Sequence, residues 1–106
     1  MYKVKESDWK LFRKKVPRWQ ETYMEKLIRE YIELLEQDKN ASEKFWTLNE
    51  KMKKDKRKSG VLIQEMSRSS MTTHILNLLR DGAITLADLE DFSDEVRNYF
   101  EQMMSQ

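Results

Sequence analysis

A chain of 106 residues with no cysteine, one histidine, two glycines and one proline excludes a disulfide scaffold, thiol catalysis and a zinc site with sulfur ligands. Charged residues make up 37% and hydrophobic residues 39%, and the balance, rich in Lys, Glu and Leu with three Trp, four Tyr and four Phe, predicts a folded helical chain and not a disordered one. The net charge of +1 conceals a division: residues 1–60 hold 17 Lys/Arg against 11 Asp/Glu (+6), and residues 61–106 hold 3 against 8 (−5), as in a basic binding face or two halves that attract each other.

The opening "MYKVKESDWKLFRKK" has no apolar core of the kind a signal peptide needs, and no run approaches the ~20 apolar residues that cross a bilayer; a cytoplasmic protein is the expectation. Ser7 is placed to cap a short helix over 7–15, with Trp9, Leu11, Phe12 and Val16 as its apolar contacts. Pro17 interrupts it and suits the first position of a second helix, 17–37. There Trp19, Tyr23, Leu27, Tyr31 and Leu34 lie near one line, flanked by Met24, Ile28 and Leu35. That apolar arc is wider than the ~100° of an ordinary surface helix, so this helix is expected to be central.

Asn40 and Glu43 read as a capping pair for a third helix, 41–58, with Ala41, Phe45, Leu48 and Met52 as a narrow stripe. It runs into "KMKKDKRKSG", where basic side chains and Gly60 suit a helix end. A fourth helix is predicted over 61–80, although Val61, Leu62, Ile63 and Met66 project away from Met71, Ile75, Leu78 and Leu79. Burial on two sides, a kink or a restart at Ser67 to Ser70 are the alternatives, and one helix with a local defect is preferred. The fifth, 86–104, carries Leu86, Leu89, Phe92, Val96, Tyr99 or Phe100, and Met103. The fold class is therefore all-α, a single-domain helical bundle of four to five helices.

Between the last two helices, "RDGAITLADLEDFSDE" raises the question of a calcium loop. Setting Gly82 at loop position 6 puts Asn77 at 1, Leu79 at 3, Asp81 at 5 and Asp88 at 12, and leucine cannot coordinate a cation. Every residue is accounted for by a helix corner instead: Gly82 ends one helix with a left-handed residue, and Thr85 with Asp88 starts the next. Locally the pattern resembles the short C-terminal type of bacterial helical-hairpin module, a likeness that carries no chemistry. The stretches "LFRKKVPRWQETYMEKLIREYIELL" and "LLRDGAITLADLEDFSDE" also resemble a family of small uncharacterised all-helical proteins of Firmicutes. What that resemblance implies is a helical domain and no catalytic residue. The transporter label its members sometimes carry is not transferred to a chain without a membrane span.

Catalytic, cofactor-binding and metal-ligating residues are all predicted absent. His74 has no Glu or His at helical spacing and no aligned partner for base catalysis. Asp88, Asp91 and Glu95 share a solvated side of the last helix, where nothing separates their pKa values. Two basic clusters are candidates for phosphate or partner contact: Lys51, Lys53, Lys54, Lys56, Arg57 and Lys58, and Lys10, Arg13, Lys14, Lys15 and Arg18 beside Trp9 and Trp19. Against a nucleic-acid role, the whole chain is near neutral, and the helix after the corner is acidic. Trp46, Leu62, Ile63, Met66 and Met104 fall off the best core stripes and are candidates for an apolar partner surface, which seven methionines would make adaptable. The expected function is a non-enzymatic interaction module acting through protein partners or as a homo-oligomer. A nucleic-acid accessory role for the basic clusters is the alternative.

Overall fold

The computed structural model describes residues 3–105, and these form four α-helices and two short 3-10 turns with no strand among them: α1 (Glu6–Leu35), α2 (Ala41–Asp55), α3 (Met71–Arg80) and α4 (Asp94–Met104). The all-α bundle expected from composition and periodicity is the observed one.

The first correction concerns Pro17. It does not separate helices 7–15 and 17–37; α1 runs unbroken through it for 30 residues, roughly 45 Å at 1.5 Å per residue. A proline inside a helix costs ~3 kcal/mol through one lost hydrogen bond and a ring clash. Phe12 and Val16 before it, and Tyr23 and Leu27 after it, are all buried on one side, at roughly 1.5–3 kcal/mol each. Those four contributions outweigh the defect. Pro17 and Arg13, whose carbonyl lacks its partner, are both exposed, so water can satisfy the orphaned acceptor. Nor is Ser7 the cap: Lys5 occupies that position, and no side chain caps it.

The main core gathers Phe12 and Val16 of α1, Met71, Ile75, Leu78 and Leu79 of α3, Ile84, Leu89 and Phe92 of the connection, and Val96 and Phe100 of α4. Trp9, Phe12, Trp19 and Phe92 form a chain of ring contacts through it, with centroids 6.2–6.3 Å apart. Asp8, almost fully buried, ties the start of α1 to the start of α4: its carboxylate accepts from the Ser93 N–H at 2.9 Å and the Ser93 hydroxyl at 2.6 Å. The Ser93 hydroxyl in turn accepts from the Val96 N–H at 3.4 Å.

The predicted helix 61–80 does not exist as one element. Residues 61–67 are non-helical, a 3-10 turn spans Arg68–Ser70, and α3 begins at Met71. The reason is polar. Ser67 and Ser70 cap each other's turn, and the Glu65 carbonyl is held by His74 Nε2 at 2.6 Å and the Ser70 hydroxyl at 3.1 Å. A carbonyl drawn sideways onto a later helix cannot also accept along its own helix axis. The two apolar runs project differently because they never share an axis. Helix 86–104 is likewise two pieces. Thr85 and Asp88 form the expected capping box, with the Thr85 N–H donating to Asp88 at 2.7 Å, but the turn it starts ends at Leu89. A second cap, Ser93, opens α4.

The Gly82 corner is as expected. Its φ is +77°, the Ala83 N–H donates to the Leu78 carbonyl at 2.9 Å and the Gly82 N–H to Leu79 at 3.2 Å. This is the paired ending of a Schellman motif. Gly60 acts otherwise. Helix α2 stops at Asp55, short of the expected 58, and Gly60 is needed for space: a Cβ there would lie 2.3 Å from Cδ2 of Tyr23.

The molecule is elongated, 52 × 26 × 20 Å with a radius of gyration of 16.4 Å, against about 13 Å for a globular domain of this length. The main core sits at one end. The second half of α1 and the whole of α2 form an antiparallel hairpin that projects from it.

Candidate interaction surface

The hairpin is held by a polar cluster at its base. Asp55, with its side chain 4% accessible, accepts a hydrogen bond from the Tyr31 hydroxyl at 2.7 Å and ion-pairs with Lys58 at 3.3 Å and Lys51 at 3.5 Å. Lys51 also donates to Glu30 at 2.8 Å. Burial opposes ionisation of Asp55, yet the hydrogen bonds from Tyr31 and Lys58 and the charge of Lys51 outweigh it and hold the carboxyl below its ordinary range. Burial, the hydrogen bond to Asp55 and the Asp55 charge together push the Tyr31 phenol up. The hydrogen bond to Glu30 raises Lys51 in spite of burial. Lys58 is raised although burial opposes it, by Tyr23 and Asp55.

The cluster alters the meaning of the basic tract. Of its six cations, Lys51 and Lys58 are engaged with Asp55, and Lys53 reaches Glu50 at 3.6 Å. No ion pair involving Lys54, Lys56 or Arg57 occurs among the described residues. The other cluster is divided too. Lys15 pairs with Asp91 at 3.1 Å, Arg13 lies over the Trp9 ring, and Lys10, Lys14 and Arg18 are exposed. A concavity between α1 and the corner is lined by Lys14, Lys15, Arg18 and Trp19, but Asp88 lines it as well. The division of charge along the sequence is partly closed within the fold, by Lys15–Asp91 and by Lys5–Glu95 at 3.0 Å. The 51–58 tract is instead balanced by acids of its own half, Glu30, Glu50 and Asp55.

The expected acidic row on the last helix is not one surface. Asp88 caps the Thr85 turn, Asp91 faces Lys15, and only Glu95 lies within α4, where Lys5 lowers its pKa.

Away from the polar cluster the hairpin is apolar and uncovered. Ile28 (54% exposed), Ile32, Leu35, Phe45 (64%), Trp46 (61%) and Met52 all stand in solvent. Ile28, Ile32 and Leu35 follow i, i+4, i+7 spacing, and Phe45 and Met52 are seven apart, so each set forms one stripe. Both stripes lie on the same side of the hairpin. Met52 of α2 joins Met24, Leu27, Ile28 and Tyr31 of α1, with Val61 beyond, in a shallow groove of about 170 Å³. Phe45 and Trp46 meet edge to face at 5.0 Å at the rim.

No protein-family model, curated protein or solved structure matches this chain. The resemblances drawn from its corner and its long helix rest on those residues alone, and the surface is read on its own chemistry.

Of the residues singled out as an apolar partner surface, Trp46, Leu62 and Met66 are exposed, as is Met104. Ile63 is partly buried: it packs against the main core and also lines a surface concavity with Leu62 and His74. Sequence reasoning missed this face: Ile28, Leu35, Phe45 and Met52 match the periodicity of core positions and were assigned there, and Ile32 was not singled out. The width of the α1 arc was the signal. α2 covers one side of that arc through Leu27, Tyr31 and Leu34, and the other side has no partner.

Proposed function

We propose that this chain is a non-enzymatic helical interaction module of the cytoplasm, and that it docks protein through the apolar face of the α1–α2 hairpin. The observation that carries the reading is the run of large apolar side chains, Ile28, Ile32, Leu35, Phe45 and Met52, left in water along one side of a hairpin whose helices are tied by the Tyr31–Asp55 hydrogen bond. A monomeric protein that must stay soluble rarely leaves such a stripe unpaired, and contiguous apolar surface of this kind marks a protein contact. Methionine at Met24 and Met52 lets the groove adjust to what fills it.

A nucleic-acid accessory role ranks below this one. Three of the six tract cations already face carboxylates, and cations so engaged release fewer counterions on meeting phosphate. The discriminating measurement is site-specific photo-crosslinking in native cytoplasm, with the probe at Phe45, at Lys54 or at Glu90. Protein adducts from Phe45, with none from Lys54 or Glu90, are expected. Nucleic-acid adducts from Lys54 with a silent Phe45 would reverse the ranking.

A further inference from the structure

The hairpin is half of a familiar object. Two antiparallel helices with a shared apolar face need two more to enclose it, and four helices around one core make a stable bundle. Whether another copy can supply that half depends on area, on shape and on charge.

Area comes first. At about 150–250 Å² for a fully exposed large side chain, exposures of 40–64% over Ile28, Ile32, Leu35, Phe45 and Met52 leave on the order of 450 Å². A standard interface buries about 800 Å² per partner, polar rim included. With the rim residues added, the face is of the right size for one partner of its own dimensions. In shape, the hairpin stands out from the main core along the 52 Å axis, with α3 and α4 gathered in the core at its base.

Charge selects the arrangement. Residues 21–35 of α1 hold four acids, Glu21, Glu25, Glu30 and Glu33, against Lys26 and Arg29, a net of −2, with Glu36 just past its end. α2 itself holds Lys44, Lys51, Lys53 and Lys54 against Glu43, Glu50 and Asp55, a net of +1, and the segment just past its end adds Lys56, Arg57 and Lys58, of which Lys56 and Arg57 have no ion pair among the described residues. Face-to-face packing of two identical hairpins by a two-fold axis has two solutions. An axis across the helices sets α1 on α1 and α2 on α2, like on like. An axis parallel to the helices sets each α1 on the other copy's α2, acidic on basic, and keeps every residue at its own height along the bundle. We propose that a second copy of this chain covers the face in this second arrangement, α1 of each protomer lying across α2 of the other.

The arrangement makes a specific pair. Glu25 is exposed and stands i, i+3, i+7 with Ile28 and Ile32, at the outer edge of the α1 stripe. Lys56 lines the groove at the level of Met24, Leu27 and Ile28. Neither residue has an ion pair within the protomer among the described residues. With heights preserved, Glu25 of one copy meets Lys56 of the other across the groove mouth, once on each side of the axis.

This inference rests on the reading of the hairpin as a protein-docking face, and the test separates the two. Light scattering and sedimentation on the intact chain should give a dimer at micromolar concentration. Phe45→Glu and Ile32→Glu, both at exposed positions, should give monomers with unchanged helicity and melting behaviour at low concentration. Glu25→Lys should weaken dimerisation about tenfold, and Glu25→Lys with Lys56→Glu should restore it, which a merely sticky surface would not do. Because the chain has no cysteine, Ile32→Cys protein mixed with Phe45→Cys protein should form the mixed disulfide in excess over either homodimeric one. A dimer that survives the charge swap unrescued, or crosslinks Ile32→Cys to itself, overturns the arrangement. A wild-type monomer up to about 100 μM overturns the second copy as occupant, a Kd above that range being too weak for a specific dimer. If Phe45 still crosslinks to a different protein in that case, the docking reading stands without it.

Discussion

Gly60 and Gly82 show how one residue type serves two unrelated physical needs. Gly82 sits at φ +77° with Lys26 Nζ at 4.0 Å as the nearest atom to a built Cβ; its side-chain-free backbone is used for conformation alone, and Gly82→Ala is expected to cost about 1 kcal/mol. Gly60 has an ordinary φ, but a methyl group would enter the buried Tyr23 ring. Overpacking of this kind costs roughly 1–3 kcal/mol, so Gly60→Ala should be the more damaging substitution, the reverse of the order that helix-end reasoning predicts. Urea unfolding of the two variants checks the ranking, and equal midpoints would mean that Tyr23 moves aside freely. Asp55 supplies the second prediction at this scale. Its pKa is depressed in the fold, so its contribution is present above the unfolded value of about 3.9 and is lost as pH falls through the lower folded value. Lys51 and Lys58 are raised, so theirs is present below about 10.4 and is lost as pH rises through the higher folded values. Wild-type stability should therefore fall in acid below about pH 4 and again in strong base above about pH 10.4. Asp55→Asn should cost about 1.5–3 kcal/mol at neutral pH, as expected for a hydrogen-bonded charge, and flatten both limbs. Thermal melts across pH measure it.

At the scale of elements, α1 is the informative case. Its continuity through Pro17 is an outcome of packing on both sides of the defect. With Pro17 and its freed carbonyl in solvent, the proline contributes only its helix penalty and a stiffer unfolded chain. Pro17→Ala should therefore stabilise the fold by about 1–3 kcal/mol, most of the ~3 kcal/mol helix penalty less the unfolded-state effect. Were Pro17 a true helix start, the same change would be neutral or harmful; chemical denaturation separates these outcomes. The interrupted elements carry the complementary lesson. Residues 61–67 are apolar enough for a helix, yet the Glu65 carbonyl is held by His74 and Ser70. Asp8 similarly holds Ser93 and so sets where α4 begins. In both, a side chain distant in sequence or on another element determines a boundary that local pattern cannot.

For the whole molecule, the main core and the uncovered apolar face are separated along the long axis. Leu89 is fully buried in the main core, whereas Leu27 is 4% exposed beside the hairpin groove. Leu89→Ala should cost ~2–5 kcal/mol and lower the global melting temperature. Leu27→Ala, next to a space already open, should cost less and act mainly on the hairpin. Hydrogen exchange is the discriminating measurement: protection should be lost throughout for Leu89→Ala, and chiefly over α2 for Leu27→Ala. Uniform loss in both would mean that the hairpin is not a separate unit of stability. Charge also acts at this scale. With Lys15–Asp91, Lys5–Glu95 and the Asp55 cluster in place, little long-range field remains to attract a polyanion. Mixed-sequence duplex DNA should bind more weakly than micromolar at physiological salt, as fluorescence anisotropy can establish. Binding tighter than this, lost on neutralising Lys54, Lys56 and Arg57, would restore the nucleic-acid reading.

By itself the amino-acid sequence determined the all-α class, the α2 stripe, the Gly82 corner and the Thr85–Asp88 capping box, because each depends on spacings of three to seven residues or on the backbone freedom of one glycine. Tertiary structure alone decided the rest. Pro17 lies inside a helix because buried side chains on either side overrule its local penalty, and Ile63 leans on the core because the chain at 61–67 leaves the helical path. Ile28, Ile32, Leu35, Phe45 and Met52 were legible as apolar but not as exposed. Periodicity states which face of a helix avoids water, and only the count and length of the neighbouring helices states whether anything covers it. Here α2 is shorter than α1 and is a single helix against a two-sided arc. The uncovered side is therefore a property of the assembly of elements, written in no one of them.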